Sequence, residues 1–312
     1  MKQNKIHQYI RIIIFAAVIY AVFIIYSNFD QTVNIISSFP LVLFVLMLLF
    51  AFVNYLIRFV KWEYLLRKID VRIPFLTSFL CFFSGFSMTL TPAKSGELIK
   101  PYLLTRFGHD SGHTTPVVLI ERLTDLFGMV ILLLISAALL GIGIIPGVIM
   151  GIVLILLIVL IQNAKFVSWF RTWMSKSIRI SKFLPLLDTI LNSTKILSGP
   201  APLLISVLLS CVSWFFECLC LSLALEGLGY PVNIMVSVFI FASSTLAGLL
   251  VMIPGGLGAT EGLMTVLITA EKIPLDAAVS ATLLTRVATL WFAVGLGMVA
   301  LFVFNAKNKI NN

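Results

Sequence analysis

Arg122 and Arg286 stand inside apolar runs, and each follows a glutamate at the same spacing: Glu97 lies 25 residues before Arg122, and Glu261 lies 25 residues before Arg286. An arginine in hydrocarbon costs roughly 2.5 to 3.5 kcal/mol on insertion scales, so each needs a partner. On its own helix Arg122 reaches Asp125 at i+3, and Glu121 stacks over Asp125 at i+4. Arg286 has Thr285 and Thr289 at the equivalent places, so its helix supplies no neutralising charge. An incompletely paired guanidinium suits an anion from outside the chain. Phosphate fits, because the planar fork binds two of its oxygens and helix N-termini add backbone donors.

Both glutamates follow helix-breaking residues: Pro92 and Gly96 in one case, and Pro254, Gly255, Gly256 and Gly258 in the other. Proline removes a helical donor and glycine favours non-helical backbone. At such a break a carboxylate can cap the next helix, exchange a proton, or release the arginine when an anion arrives. The plainer alternative is that these pairs only staple helices together. Lys94 lies in the first break, and Lys100 beside Tyr102 is expected at the membrane interface, where it would draw an anionic headgroup. Glu217 is a further carboxylate in an apolar run. His109 and His113 lie in a Gly/Ser/Thr loop without a third ligand, and Cys81, Cys211, Cys218 and Cys220 lie in apolar runs. No metal, cofactor or disulfide is expected, and no Ser or Thr stands beside a base, so a transporter-like protein is expected rather than an enzyme.

The elements that position these residues follow from composition. Of 312 residues, 60% are hydrophobic and 11% charged, with a mean hydropathy of +1.09. That excludes an ordinary soluble enzyme and a disordered chain. The expected architecture is a single all-α polytopic membrane domain over residues 1–312. Six runs are long enough to span, at 10–26, 39–59, 116–140, 144–161, 201–225 and 277–304. Two shorter ones, near 75–102 and 236–271, run into the breaks and read as re-entrant helical hairpins.

The 22 Lys and Arg against 13 Asp and Glu give a net charge of +9, which in a soluble protein would suggest nucleic acid. With the N-terminus inside, 19 of the basic residues fall on the cytoplasmic side and Lys272 alone falls outside. The charge therefore reads as topology in a cytoplasmic membrane with both termini cytoplasmic, and no nucleic-acid partner is expected. A basic cytoplasmic linker over 164–200 carries Phe166, Phe170 and Trp173 among Arg171, Lys176, Arg179 and Lys182; passive surface contact is its simpler reading.

The shared spacing is part of a wider repeat. LIERLTDL at 119–126 aligns with LLTRVATL at 283–290. In the topology above, repeat 1 at 39–140 and repeat 2 at 201–304 have opposite orientations. Inverted repeats with broken helices are characteristic of secondary transporters.

Several motifs together resemble one family: LTPAKSGE at 90–97 with KPYLL at 100–104, ERLTDL at 121–126, IPGGLG at 253–258 with Glu261 and Gly262, and Arg58-x-x-Lys61-Trp62. This is the flippase-like transmembrane region of the lysylphosphatidylglycerol synthases (multiple peptide resistance factors), in its stand-alone form. The resemblance covers about 41–304 and implies eight membrane elements, two of them re-entrant. It also implies movement of a phospholipid or lipid-linked anionic headgroup between leaflets. Because the chain stops at Asn312, no aminoacyl-transferase domain is expected. A separate lipid-modifying enzyme and a second copy of the chain are the protein partners to consider. Lys94 stands where the family often has Arg, and its ammonium lacks the bidentate fork of a guanidinium. In this reading Arg122 and Arg286 hold the phosphate, Glu97 and Glu261 compensate, and Lys94, Lys100, Glu121 and Asp125 complete the site. The alternatives are a secondary transporter of a small anionic solute and an intramembrane lipid-modifying enzyme.

Overall fold

A backbone in hydrocarbon must satisfy its own hydrogen bonds, and a helix does so within one segment. The computed structural model describes residues 34–91, 96–175, 184–251 and 253–310, and no strand occurs among them. The described helices in chain order are α1 (Leu41–Lys68), α2 (Phe75–Phe86), α3 (Ile99–Leu104), α4 (Ser111–Leu140), α5 (Ile145–Gln162) and α6 (Ala164–Ser175). They continue with α7 (Leu184–Leu197), α8 (Pro200–Gly227), α9 (Ile234–Leu250), α10 (Ala259–Ala270), α11 (Leu275–Arg286) and α12 (Phe292–Ile310).

Four helical stretches among these are long and apolar enough to cross a membrane: α1, α4, α8 and the run Leu275–Lys307. The protein is thus a multi-pass membrane protein. α2 and α10, with 12 residues each, extend about 18 Å at 1.5 Å per residue, well short of a bilayer core of about 30 Å. The first expected span, at 10–26, and the residues Pro92 and Lys94 lie outside the described residues.

Two boundaries differ from the expectation in ways that matter for the site. Helix α1 does not stop at Phe59 but continues to Lys68, because Trp62, Leu65 and Leu66 remain buried. The run expected as one span at 277–304 is interrupted by a π turn, Val287–Trp291, directly after Arg286.

Helix ends follow local chemistry. Asp110 caps α4 by accepting from the His113 amide at 3.1 Å, and Gly141, at φ 68°, ends it. Asn233 caps α9 by accepting from the Met235 amide at 2.8 Å. After α9 the chain makes a short 3-10 turn, Pro254–Gly256, then passes through Gly258 into α10. Gly255, Gly256 and Gly258 have φ of 65°, 67° and 86°, a region that side chains with a Cβ rarely adopt.

The described residues fall into two compact units. The first takes the chain as far as Val53, Ser87–Gly96 and Phe215–Gly295; the second takes Asn54–Phe86, Glu97–Trp214 and the chain from Leu296. In the first, α9 packs on α10 and α10 on α11. Leu90, Leu257, Leu290 and Val294 form a core beneath the 254–258 turn. In the second, α2 packs on α3, α3 on α4, and α4 on α5 and α7. Rings of Phe59, Phe79, Phe82, Phe83 and Phe86 interlock there.

Gly128 sets the approach of α4 to α8 within the second unit. A Cβ at this position would stand 2.9 Å from Ser210 Cβ and 3.0 Å from the Cys211 amide nitrogen. Small residues allow close helix approach in membranes. Gly128→Val is expected to destabilise the protein by about 1–3 kcal/mol, read as a lower midpoint in detergent thermal unfolding.

Candidate functional site

Seven ionisable side chains converge in the second unit. Glu121, Thr124 and Asp125 share one face of α4, as i, i+3 and i+4 positions must. Lys61, from α1, meets all three: its Nζ lies 2.6 Å from Asp125 Oδ1, 3.3 Å from Thr124 Oγ1 and 3.3 Å from the Glu121 carbonyl. It also donates to Ser210 of α8 at 2.7 Å. Arg58, one turn earlier on α1, has its guanidinium over Phe86 and Trp214 and 3.7 Å from Asp125.

Lys100 of α3 closes the other end. Its Nζ lies 2.6 Å from Glu121 and 3.3 Å from Glu97, over the rings of Trp62 and Phe82. Gly85 makes room for its stem, since a Cβ there would lie 2.9 Å from Lys100 Cδ. Arg122 bridges the acids, at 3.1 Å from Glu97, 3.3 Å from Asp125 and 3.6 Å from Glu121. Four cations and three carboxylates thus alternate in a region where Lys61, Lys100, Glu97 and Glu121 are almost wholly buried.

The first unit holds a smaller arrangement. Glu261, fully buried, accepts from Arg286 Nε at 2.7 Å through one oxygen and from the Gly258 amide at 2.8 Å through the other. Arg286 Nη2 donates to the Gly255 carbonyl at 2.8 Å. One carboxylate therefore caps α10 and orients the arginine, while the arginine ties down the glycine turn. Arg286 lines a cleft together with Thr91, Thr245, Gly248, Gly256 and Thr260.

The structure brings Glu97, Lys100, Glu121, Arg122 and Asp125 together in one unit, and Gly255, Gly258, Glu261 and Arg286 in the other. Pro254 opens the 3-10 turn. Gly96 is tightly enclosed: a Cβ would meet Met88 and Thr91 at 2.6–2.8 Å. Two expectations are corrected. Lys100 is not open to a headgroup but 1% exposed, because Glu121 and Glu97 compensate it inside the protein. Arg286 is not short of a partner, because Glu261 reaches it from another helix.

Arg58, Lys61 and Ser210 are site residues that sequence reasoning missed. By sequence both cations fall among the 19 basic residues on the cytoplasmic side. Their i, i+3 spacing, followed by the apolar Trp62, Leu65 and Leu66, was the available signal. Among the described residues no group of His, Cys, Asp and Glu is suited to hold a metal ion. His113 instead contacts the Ile69 carbonyl at 2.9 Å and Ser193 at 2.8 Å.

Residues 12–297 match a family model described as the lysylphosphatidylglycerol synthase TM region. The chain is 29% identical over 225 residues to a UPF0104 membrane protein of Methanocaldococcus jannaschii, covering 70% of this chain and 94% of that protein. Another UPF0104 membrane protein of the same organism is 22% identical over 272 residues, 79% of this chain and 80% of the relative. A UPF0104 membrane protein of Methanothermobacter thermautotrophicus is 26% identical over 99 residues, a match that spans 29% of that protein.

Proposed function

The chain belongs to the lysylphosphatidylglycerol synthase transmembrane-region family, and from that premise we propose that it is a lipid translocase moving a phospholipid or lipid-linked anionic headgroup between leaflets of the cytoplasmic membrane. In this reading the chain crosses six times, with both termini cytoplasmic. The α2/α3 and α9/α10 pairs are re-entrant hairpins of two inverted repeats. The headgroup travels along polar side chains while the acyl chains stay in the bilayer. The reaction is movement rather than bond making.

The observation that supports this most is the presence of buried arginine–carboxylate groups in a chain otherwise built for hydrocarbon. Hydrophobic side chains would have served packing at much lower cost, and polar residues at such depth mark substrate paths. Arg122 and Arg286 are the guanidinium groups placed to meet a phosphate.

The test is headgroup exchange in proteoliposomes of defined lipids containing fluorescent phosphatidylglycerol. Arg122→Ala and Arg286→Ala are expected to reduce exchange at least tenfold, about 1.4 kcal/mol of lost stabilisation. Arg→Lys at either position should be a milder lesion, keeping the charge but losing the fork. Unchanged exchange in both alanine variants would overturn the proposal.

A further inference from the structure

The cleft in the first unit contains donors that the Glu261–Arg286 pair does not use. Thr260 is 3% exposed and lines the cleft. Thr245, opposite on α9, also lines the cleft, and its Oγ1 makes no hydrogen bond. A buried hydroxyl left without a partner costs stability, so the Thr245 hydroxyl needs an explanation.

The same wall carries the start of α10. Its N-cap is Gly258, which has no side chain to accept from the first-turn amides, and Glu261 is committed to the Gly258 amide. The first-turn amides of this 12-residue helix therefore have no N-cap side-chain acceptor, although Glu261 caps the Gly258 amide. Gly248 and Gly256 let the Thr260 hydroxyl pack closely against α9 and the glycine turn. A Cβ at Gly248 would stand 1.9 Å from Thr260 Oγ1, and one at Gly256 2.7 Å from it.

We propose that this cleft is an oxyanion seat for one phosphate group. Arg286 supplies charge, Thr260 and Thr245 supply hydroxyl donors, and the first turn of α10 supplies amides. Both oxygens of Glu261 are occupied in orienting Arg286 and capping Gly258, and Glu261 does not line the cleft. The second unit is built differently. Lys61 and Lys100 each sit 2.6 Å from a carboxylate, and an entering anion would face three acids. The two arginines therefore differ in setting: Arg286 lines a cleft where the phosphate rests, whereas Arg122 meets a phosphate only in exchange for carboxylates of its own network. This inference rests on the translocase reading only in naming a lipid headgroup as the source of that phosphate.

The test is calorimetric titration of the full chain in detergent micelles with two probes, inorganic phosphate and dihexanoyl phosphatidylglycerol. Thr260→Ala is expected to weaken binding roughly tenfold, Thr260→Ser to remain within about twofold, and Arg286→Lys to weaken it roughly tenfold. Binding of both probes with these effects supports the seat and its lipid source. Binding of phosphate alone supports the seat and overturns the lipid source. Binding of neither probe, or equal binding by Thr260→Ala and the parent, overturns the seat. Intact binding without headgroup exchange defeats the translocase reading alone, and exchange without binding defeats the seat alone.

Discussion

Asp125→Asn is expected to destabilise the protein by about 3–5 kcal/mol, the usual cost of removing one partner from a buried ionic group. Three cations meet at this carboxylate: Lys61 at 2.6 Å, Arg122 at 3.3 Å and Arg58 at 3.7 Å. Ser210 also donates to it, at 3.1 Å. Without its charge, four cations would share Glu97 and Glu121, both nearly inaccessible to solvent. Arg58 would be left between Phe86 and Trp214, where ring faces contribute only about 0.5–2 kcal/mol.

The double variant Lys61→Met with Asp125→Leu removes one charge of each sign. It should recover much of the loss, because replacing a buried pair by apolar groups of similar volume is far less costly than breaking it. The measurement is loss of helicity on titrating micelles of the full chain with sodium dodecyl sulfate. A shift below about 1 kcal/mol for Asp125→Asn would show that the network does not hold α1, α4 and α8 together.

How far the site could be read from residue types depended on where each partner came from. The Glu–Arg spacing was legible because an arginine in hydrocarbon demands compensation and the glutamates recurred at one distance. The Glu97–Arg122 and Glu261–Arg286 contacts, at 3.1 and 2.7 Å, follow that spacing. The Gly255–Gly256–Gly258 break was equally plain, since positive φ selects glycine. Arg58 and Lys61 were not legible as site residues. A cation near the end of an apolar run has the same hydropathy whether it snorkels to water or turns inward, and only packing distinguishes these. Lys100 was misplaced for the same reason: its solvation comes from Glu121 and from rings of α1 and α2, contributed by distant segments. The carbonyl of Gly255 as an Arg286 partner leaves no trace in side-chain chemistry. Span ends were least legible where burial continued beyond a charged residue, as at Trp62 on α1.

Glu261→Gln carries the second large expectation, about 3 kcal/mol of destabilisation with at least tenfold slower headgroup exchange. The native carboxylate accepts on both oxygens, from Arg286 Nε and from the Gly258 amide. A carboxamide has one accepting oxygen and one donating nitrogen, so whichever way it turns, one N–H meets another N–H. If the oxygen stays on Gly258, α10 remains capped and Arg286 loses its orienting partner beside the cleft. If it stays on Arg286, the cap fails and the turn through Gly258 loosens. Either outcome leaves Arg286 buried without a compensating charge, since Thr285 and Thr289 on its own stretch are neutral. Glu261→Asp keeps the charge but is one methylene shorter; it should lose one of the two contacts and fall between the parent and the glutamine variant. Detergent unfolding and leaflet exchange, measured on the same preparations, separate the consequences. A Glu261→Gln protein with parental stability and exchange would show that the carboxylate neither holds the turn nor aims the arginine.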